Sequence, residues 1–236
     1  MGLLYDLKTL VARYPPLALP IARLRRGHGE VVSRDTEIVI EGFPRTGSSF
    51  AVAAFRRAQD RPVRVAHHVH APAQVMVAVR RHVPALVLIR RPEGAVLSLM
   101  IRNPEIPVAQ ALTGYERFYR PLLRVKARFE AATFEEVVED FGKVIDRINE
   151  RYGTVFARFE HTEANAAAIL AEIEEDYLTR DPPGERFERI VPRPSRRRLR
   201  LKEELRVQYR DPALAEARAR AESLYESFVE NQGARA

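Results

Sequence analysis

Nine residues in the first quarter of the chain have the types and spacing of a turn that binds an anion. They read Gly42-Phe43-Pro44-Arg45-Thr46-Gly47-Ser48-Ser49-Phe50. Gly42 and Gly47 can adopt backbone angles that other residues resist, and the two serines can cap a following helix. Amide groups without a helical partner would then point at a bound anion. The segment is a candidate phosphate-binding loop, with an ordinary tight turn as the alternative.

This loop departs from the Walker A pattern, G-x-x-x-x-G-K-[ST], at its lysine. Ser48 occupies the lysine position, and the cation of the segment is Arg45. The apolar strand predicted at 85–89 ends in Arg90, whereas a Walker B strand offers an aspartate to magnesium. Both departures argue against a nucleotide kinase or NTPase, which remains the alternative enzyme.

Three histidines, His67, His68 and His70, follow the strand predicted at 63–67. A histidine is suited to accept a proton as a general base near neutral pH. In an extended chain His68 and His70 point the same way and His67 points oppositely. The alternatives are that these residues cap a turn or bind substrate. A metal site is disfavoured because no clear carboxylate ligand accompanies them.

The intervening segments predict the elements that must position these groups. Strands are predicted at 37–41, 63–67, 85–89 and 131–134, and helices at 48–58, 72–81, 93–101, 107–130, 135–151, 162–177 and 212–230. Alternating strands and helices predict βαβ units and a parallel sheet. Ligands bind at the carboxyl ends of such strands, where the loop, the histidines and Arg90 should meet.

Composition sets the broad class. A chain of 236 residues is predicted to form a single domain over 1–236, with a leader segment at 1–34 and a basic segment and C-terminal helix at 193–236 that pack on it. There is no cysteine, which excludes disulfides and cysteine catalysis and fits a cytoplasmic location.

The charge balance favours anionic partners. The formal net charge is +7. No nucleic-acid partner is expected, because the sequence has no zinc-finger spacing and no basic region with heptads. No segment approaches the ~20 apolar residues of a membrane span. Residues 3–24 favour an amphipathic helix and a proline-rich turn that pack on the domain, with peripheral membrane contact as the alternative.

Two segments in this order resemble motifs of sulfotransferases that use 3′-phosphoadenosine 5′-phosphosulfate (PAPS). Residues 42–50 resemble the 5′-phosphosulfate loop of that family. Arg90-Arg91-Pro92-Glu93-Gly94-Ala95-Val96-Leu97-Ser98 resembles its 3′-phosphate motif, in which proline and serine follow the arginine at these spacings. Residues 133–137 resemble its mid-chain segment. The resemblance covers about 37–153, with a weaker echo at 192–205.

The resemblance implies a fold class and a reaction. The fold would be α/β, a three-layer P-loop NTPase-like fold with a central, mostly parallel sheet flanked by helices. The chain would move a sulfuryl group from PAPS, without a metal, to a hydroxyl or amine of a small-molecule, carbohydrate or lipid acceptor by in-line displacement. A non-catalytic nucleotide-binding protein is the alternative outside enzymes.

It also implies roles for individual residues. His70, which precedes Pro72 in the family's pattern, would be the general base, with His68 as the second choice, and Arg45 would stabilise the leaving oxygen. The residues implied to bind the co-substrate are Arg45, Thr46, Gly47, Ser48, Ser49, Phe50, Arg90, Ser98, Arg196, Arg197 and Arg198. Phe50 would stack on adenine or, equally, lie in the core.

The basic run at 193–202 has three interpretations. It is a solvated face, a patch for RNA or a membrane, or a lid in which Arg196, Arg197, Arg198 or Lys202 closes over the 3′-phosphate. The family's late loop carries a glycine spacing that this run lacks. The family also commonly has aspartate where this chain has Arg91.

Overall fold

A parallel sheet lies at the centre of the computed structural model, which describes residues 2–26, 29–193 and 195–230. Parts of the predicted leader, basic run and tail, at 1, 27–28, 194 and 231–236, lie outside the described residues. Within that part, four strands pair in the order β2-β1-β3-β4, all parallel. They are β1 (Ile38–Gly42), β2 (Val65–His67), β3 (Ala85–Ile89) and β4 (Glu130–Thr133). The predicted α/β class with a parallel sheet is confirmed.

Helices cover both faces of this sheet. In the described residues they are α1 (Gly2–Val11), α2 (Pro15–Arg26), α3 (Ser48–Ala58), α4 (Pro72–Arg80), α5 (Pro92–Arg102), α6 (Val108–Tyr119), α7 (Phe134–Glu139), α8 (Phe141–Tyr152), α9 (Glu163–Leu178), α10 (Glu185–Ile190), α11 (Arg196–Tyr209) and α12 (Ala215–Val229), with 3₁₀ turns at Arg120–Arg128 and Pro212–Leu214. None of these helices has both the length and the apolar character needed to cross a membrane.

Alternation along the strands creates two apolar cores. Ile38 and Ile40 of β1 face the core shared with α3, α8 and α9, whereas Val39 faces the core shared with α4, α5 and α6. Successive strand side chains point to opposite faces, so buried strands need apolar residues at every position. All five residues of β3 are accordingly buried and apolar. The result is helix, sheet and helix in three layers.

The helix predicted at 107–130 is shorter in the structure. It ends at Tyr119 and continues as a 3₁₀ turn over Arg120–Arg128. Pro121 explains the change, because proline lacks an amide proton and its ring collides with the carbonyl four residues earlier.

The helix predicted at 135–151 is two helices. The break is at Asp140, whose carboxylate accepts the backbone amide of Lys143 at 3.3 Å and thereby caps α8. An aspartate at this position competes with continuation of the preceding helix.

Residues 196–202 of the basic run belong to the helix α11. Ser195 caps α11 by accepting the amide of Arg198, and Arg206 pairs with Glu93 of α5 at 2.7 Å. α11 is therefore anchored along α5 by charge and hydrogen bonds.

The carboxyl ends of the strands bring the predicted groups together. Gly42 is paired with Leu88, and Ile89 with Thr133, so β1, β3 and β4 end at one edge of the sheet. β2 ends at His67 on the other side of β1. The loop, the histidines, Arg90 and the start of α7 follow directly.

Candidate functional site

The loop between β1 and α3 requires its two glycines. A Cβ on Gly42 would lie 2.7 Å from the Leu88 carbonyl oxygen and 2.4 Å from Thr46 Oγ1. Gly47 caps α3 in the left-handed region, at φ 93°. Arg45 also has a left-handed backbone, at φ 73°. The turn is thus held in a shape that presents the first amides of α3.

The Ser48 hydroxyl of this loop is buried and has no hydrogen-bond partner among the described residues. The residue is 5% exposed. A buried hydroxyl without a partner costs ~1–3 kcal/mol. An anion at the start of α3 would satisfy this hydroxyl together with the helix amides.

A cluster of cations surrounds Ser98 of α5. The Ser98 hydroxyl oxygen accepts hydrogen bonds from Arg45 Nε and from Arg198 Nη2, both at 3.1 Å. Arg90 donates from Nη1 to the Arg45 carbonyl oxygen at 3.2 Å. We call Arg45, Arg90, Arg198 and Lys202 the cation cluster.

Burial lowers the pKa values of the cations in this cluster, while Glu135 acts in the opposite direction on Arg90 and Glu188 does so on Arg198. Burial, and then the charge of Arg90, lower the pKa of Lys202 to about 8. Burial and Arg198 lower the pKa of Arg45. The charges acting on Lys202 all come from arginines. An anion placed here would be stabilised by several fixed cations at once.

Arg90 is fixed by contacts on several sides. Its guanidinium lies 3.7 Å from the centre of the Phe134 ring, and its carbonyl oxygen accepts the Tyr115 hydroxyl at 2.8 Å. A Cβ on Gly94 would approach Arg90 Nε to 3.0 Å. The sequence did not identify Phe134, because its contact with Arg90 joins distant segments.

The histidine segment is turned, so the extended-chain expectation is wrong. His68 and His70 have left-handed backbones, at φ 58° and 53°. The buried Glu41 carboxylate holds the turn by accepting the Val69 amide at 2.7 Å and the His70 amide at 2.9 Å. His67 does not point away from His68; their Nδ1 atoms are 2.6 Å apart.

Hydrogen bonds determine which ring nitrogen carries the proton in neutral His67 and His68. Arg56 Nη2 lies 2.8 Å from His67 Nε2, and an arginine can only donate. Neutral His67 therefore carries its proton on Nδ1 and donates it to His68 Nδ1. His68 then carries its proton on Nε2, which faces Ser49 Oγ at 3.3 Å.

The neutral His70 ring has the tautomer opposite to that of His68. Its Nδ1 lies 2.9 Å from the Gly42 carbonyl oxygen, which can only accept. In the neutral ring Nδ1 is thus the donor, and Nε2 carries the lone pair. His70 therefore has the tautomer of a base, whereas the His68 lone pair faces His67.

The structure separates Arg196, Arg197 and Arg198 of the basic run. Arg198 is buried, 6% exposed, and contacts Ser98. Arg196 and Arg197 are exposed, and Arg197 pairs with Glu185 at 3.1 Å. In a helix residues 198 and 202 share a face, which 196 and 197 do not. The expectation that Arg196 and Arg197 turn toward the 3′-phosphate therefore needs correction.

Arg45 does not extend freely from the loop, and Phe50 does not present its ring for stacking on adenine. The Arg45 guanidinium extends to Ser98 and to the Ile190 carbonyl oxygen, at 3.2 Å from Nη1. The Phe50 ring is buried against Phe159 and His161. Phe50 thus has the core position that was the alternative to adenine stacking.

Two cavities adjoin these groups. One of about 670 Å³ is open, and it is lined by residues including Arg102, Tyr177, Arg186, Arg189 and Ile190. The other, about 30 Å³, lies between α1, the loop and α6, where it meets His70. Among the described residues no group of three or more histidines and carboxylates is arranged to hold a metal ion.

Comparison with known proteins finds a similar solved structure but no matching family model. No protein-family model matches the chain, and no curated protein matches it. A solved structure of mouse sulfotransferase SULT7A1 complexed with PAP is similar over 83% of this chain and 91% of that chain, with 16% sequence identity and a TM-score of 0.42.

Proposed function

We propose that the chain is a PAPS-dependent sulfotransferase that acts on a hydroxyl or amine acceptor. The observation that carries the proposal is the cation cluster near Ser98. It lies one strand away from the 42–50 loop, in which the buried Ser48 hydroxyl has no hydrogen-bond partner among the described residues. Two anion sites at neighbouring strand ends suit a nucleotide that carries anionic groups at both its 5′ and 3′ positions.

The residues present fit such a nucleotide. The amides at the start of α3 and the Ser48 hydroxyl would bind the 5′-phosphate, with Thr46, Gly47 and Ser49 shaping the loop. Arg90, Arg198 and Lys202 would bind the 3′-phosphate beside Ser98. For Arg45 to stabilise the leaving oxygen, its guanidinium must exchange the Ser98 hydroxyl for that oxygen.

His70 is the better candidate for the general base. The co-substrate would supply the sulfuryl group, and the acceptor must lose a proton as it attacks. His70 Nε2 can take that proton, while the Nδ1–H bond to Gly42 holds the ring and stabilises the imidazolium that forms. His68 donates toward Ser49, so its role would be to orient that hydroxyl. The acceptor class and the cytoplasmic location stay predictions.

Thermal unfolding with the desulfonated product, 3′-phosphoadenosine 5′-phosphate (PAP), tests nucleotide binding. At a concentration of 100 Kd the ligand should add ~2.7 kcal/mol of stability. For a chain of this size that corresponds to ~5–10 °C in Tm. ATP and AMP should stabilise less, because they lack the 3′-phosphate.

Arg90→Ala should weaken the preference for PAP over AMP. The matched control is Arg91→Ala, since Arg91 is the exposed neighbour whose guanidinium lies over Tyr225. No preference for the 3′-phosphorylated nucleotide in the wild type, or a preference that is undiminished in Arg90→Ala, would contradict the proposal. PAP binding without transfer to any of a panel of alcohols, phenols and amines would favour the non-catalytic alternative.

A further inference from the structure

The N-terminal helices carry an unusual amount of exposed apolar surface. Among the described residues, seven of the twelve exposed large apolar side chains fall within residues 4–24. They are Leu4, Leu7, Leu10, Tyr14, Leu17, Ile21 and Leu24, which we call the apolar stripe. Leu24 is 89% exposed and Leu4 is 70% exposed. Apolar surface concentrated in this way marks an interaction site, whereas single exposed residues do not.

The stripe follows the helical period. Its members recur every three or four residues, so on each helix they share a face. Ala18, Leu19 and Ala22 form the opposite, buried face of α2. α2 is tied to the domain, since Arg23 donates to the Val32 carbonyl oxygen at 3.1 Å. The stripe is therefore the outward side of helices that are already packed.

Charge identifies the kind of surface that would cover the stripe. Residues 2–26 contain five basic residues, Lys8, Arg13, Arg23, Arg25 and Arg26, and one acidic residue, Asp6. Asp6 is paired with Arg117 at 2.8 Å. A second copy of this face would bring like charges together, whereas an anionic surface would attract it. Apolar side chains flanked by basic residues are the pattern of a helix that lies in a lipid interface.

We propose that α1 and α2 dock the protein on the surface of an anionic lipid bilayer. The leucines and Ile21 would enter the boundary between headgroups and acyl chains, and exposed basic residues such as Arg25 would contact lipid phosphates. The attachment is peripheral, because none of the described helices can span a membrane.

This docking face adjoins the site around His70. Tyr5, Lys8, Thr9 and Ala12 line the small cavity that also contacts His70 and Pro44. Tyr5 and Thr9 share a face of α1, and their spacing places that face opposite Leu7. This part of the inference rests on the proposed function: α1 would separate the base from the bilayer, and the acceptor would be a hydroxyl or amine carried by an amphiphile.

Vesicle sedimentation tests the docking without any nucleotide. The full chain should bind vesicles of equal parts phosphatidylglycerol and phosphatidylcholine, bind pure phosphatidylcholine much more weakly, and lose affinity as salt is raised. The double variant Leu17→Ser/Leu24→Ser should bind the anionic vesicles about tenfold more weakly. Arg25→Gln should bind about fivefold more weakly.

Matched controls use exposed side chains elsewhere. Val155 and Val207 are 97% and 77% exposed, so Val155→Ser/Val207→Ser should bind as the wild type does. Arg210→Gln is the control for charge. Thermal unfolding checks that each variant is folded.

Three results would overturn the proposal. They are no binding to anionic vesicles, an equal loss of binding in both double variants, and a wild-type dimer in light scattering that Leu17→Ser/Leu24→Ser dissociates. The last result would mean that a second copy covers the stripe. PAP stabilisation is measured separately, so failure of docking and failure of the proposed function are distinguishable.

Discussion

His68 and His70 have rings 5.8 Å apart that differ in which nitrogen carries the proton. The sequence could nominate both residues, but not this difference. It arises because Arg56 orients His67, which orients His68, whereas the Gly42 carbonyl orients His70. Tautomers depend on neighbours that the fold supplies.

His70→Asn should lower kcat by about 10²–10⁴-fold and leave PAP affinity within twofold. Asparagine tolerates the left-handed backbone, and its amide can still donate toward Gly42, so the base alone is lost. His68→Asn should lower kcat less. His82→Asn is the control, because His82 is exposed and also left-handed, at φ 57°. Rate assays and PAP titrations together check this, and equal effects at positions 70 and 82 would refute it.

Lys202 should make PAP binding pH-dependent. Its pKa is lowered to about 8, first by burial and then by Arg90, so part of the free protein holds it neutral above that pH. A bound phosphate favours the charged form and raises the pKa, so binding at pH 8.5 should take up a proton and weaken as pH rises. Calorimetry in buffers of different ionisation enthalpy measures the uptake. Lys202→Met should abolish it; unchanged uptake in this variant would exclude Lys202.

At the scale of elements, α7 supports the cation cluster. Thr133 ends β4 and forms a capping box with Glu136, in which each side chain bonds the other residue's backbone amide. The cap fixes the start of α7 and, with it, Phe134 beneath Arg90. A local sequence signal thereby positions an aromatic ring against the distant Arg90 side chain.

Thr133→Ala should lower the free energy of unfolding by ~1 kcal/mol and also weaken PAP binding several-fold. Thr162→Ala is the matched control, since Thr162 caps α9 through the Asn165 amide at 3.2 Å, away from the cluster. Its cost in stability should be similar, with PAP affinity unchanged. Urea unfolding and PAP titration separate the two effects. If both variants kept full affinity, the cap would be only structural.

Elements with strong local signals could be predicted from the sequence, and those set by contacts could not. Helix 48–58 agrees in both bounds, because Gly47 and Asp60-Arg61-Pro62 flank it. The break at Asp140 and the end of α6 depend on single residues within otherwise helical patterns. The sequence predicts Arg198 together with Arg196 and Arg197, and the observed helix shows which of these arginines faces Ser98.

At the scale of the whole molecule, buried groups that titrate at alkaline pH act in opposite directions on stability. The pKa of Lys202 in the folded chain is lowered, first by burial, from its ordinary value of 10.5 to about 8. Burial instead raises the pKa of Tyr5, Tyr115, Tyr119 and Tyr209. The lysine and the tyrosines therefore dominate in different pH ranges.

The free energy of unfolding should rise from about pH 8 toward pH 10 and fall above it. In the first interval the unfolded chain binds more protons, because its Lys202 is still charged, so stability rises with pH. Above pH ~10 unfolded tyrosines lose protons that the folded chain retains, so stability falls. Urea unfolding at about pH 7.5, 9.5 and 11 checks both signs. Lys202→Met should reduce the rise in the first interval and leave the fall above it unchanged.

The cation cluster has a consequence for turnover under the proposed function. The 3′-phosphate is chemically the same before and after transfer, so contacts with Arg90 and Arg198 would hold the spent nucleotide as firmly as the fresh one. Such contacts lower KM without lowering the barrier to transfer. The contacts that bind the donor nucleotide at low concentration would also make release of the product nucleotide the slow step of each cycle. Accumulated product would then compete with the donor for the site.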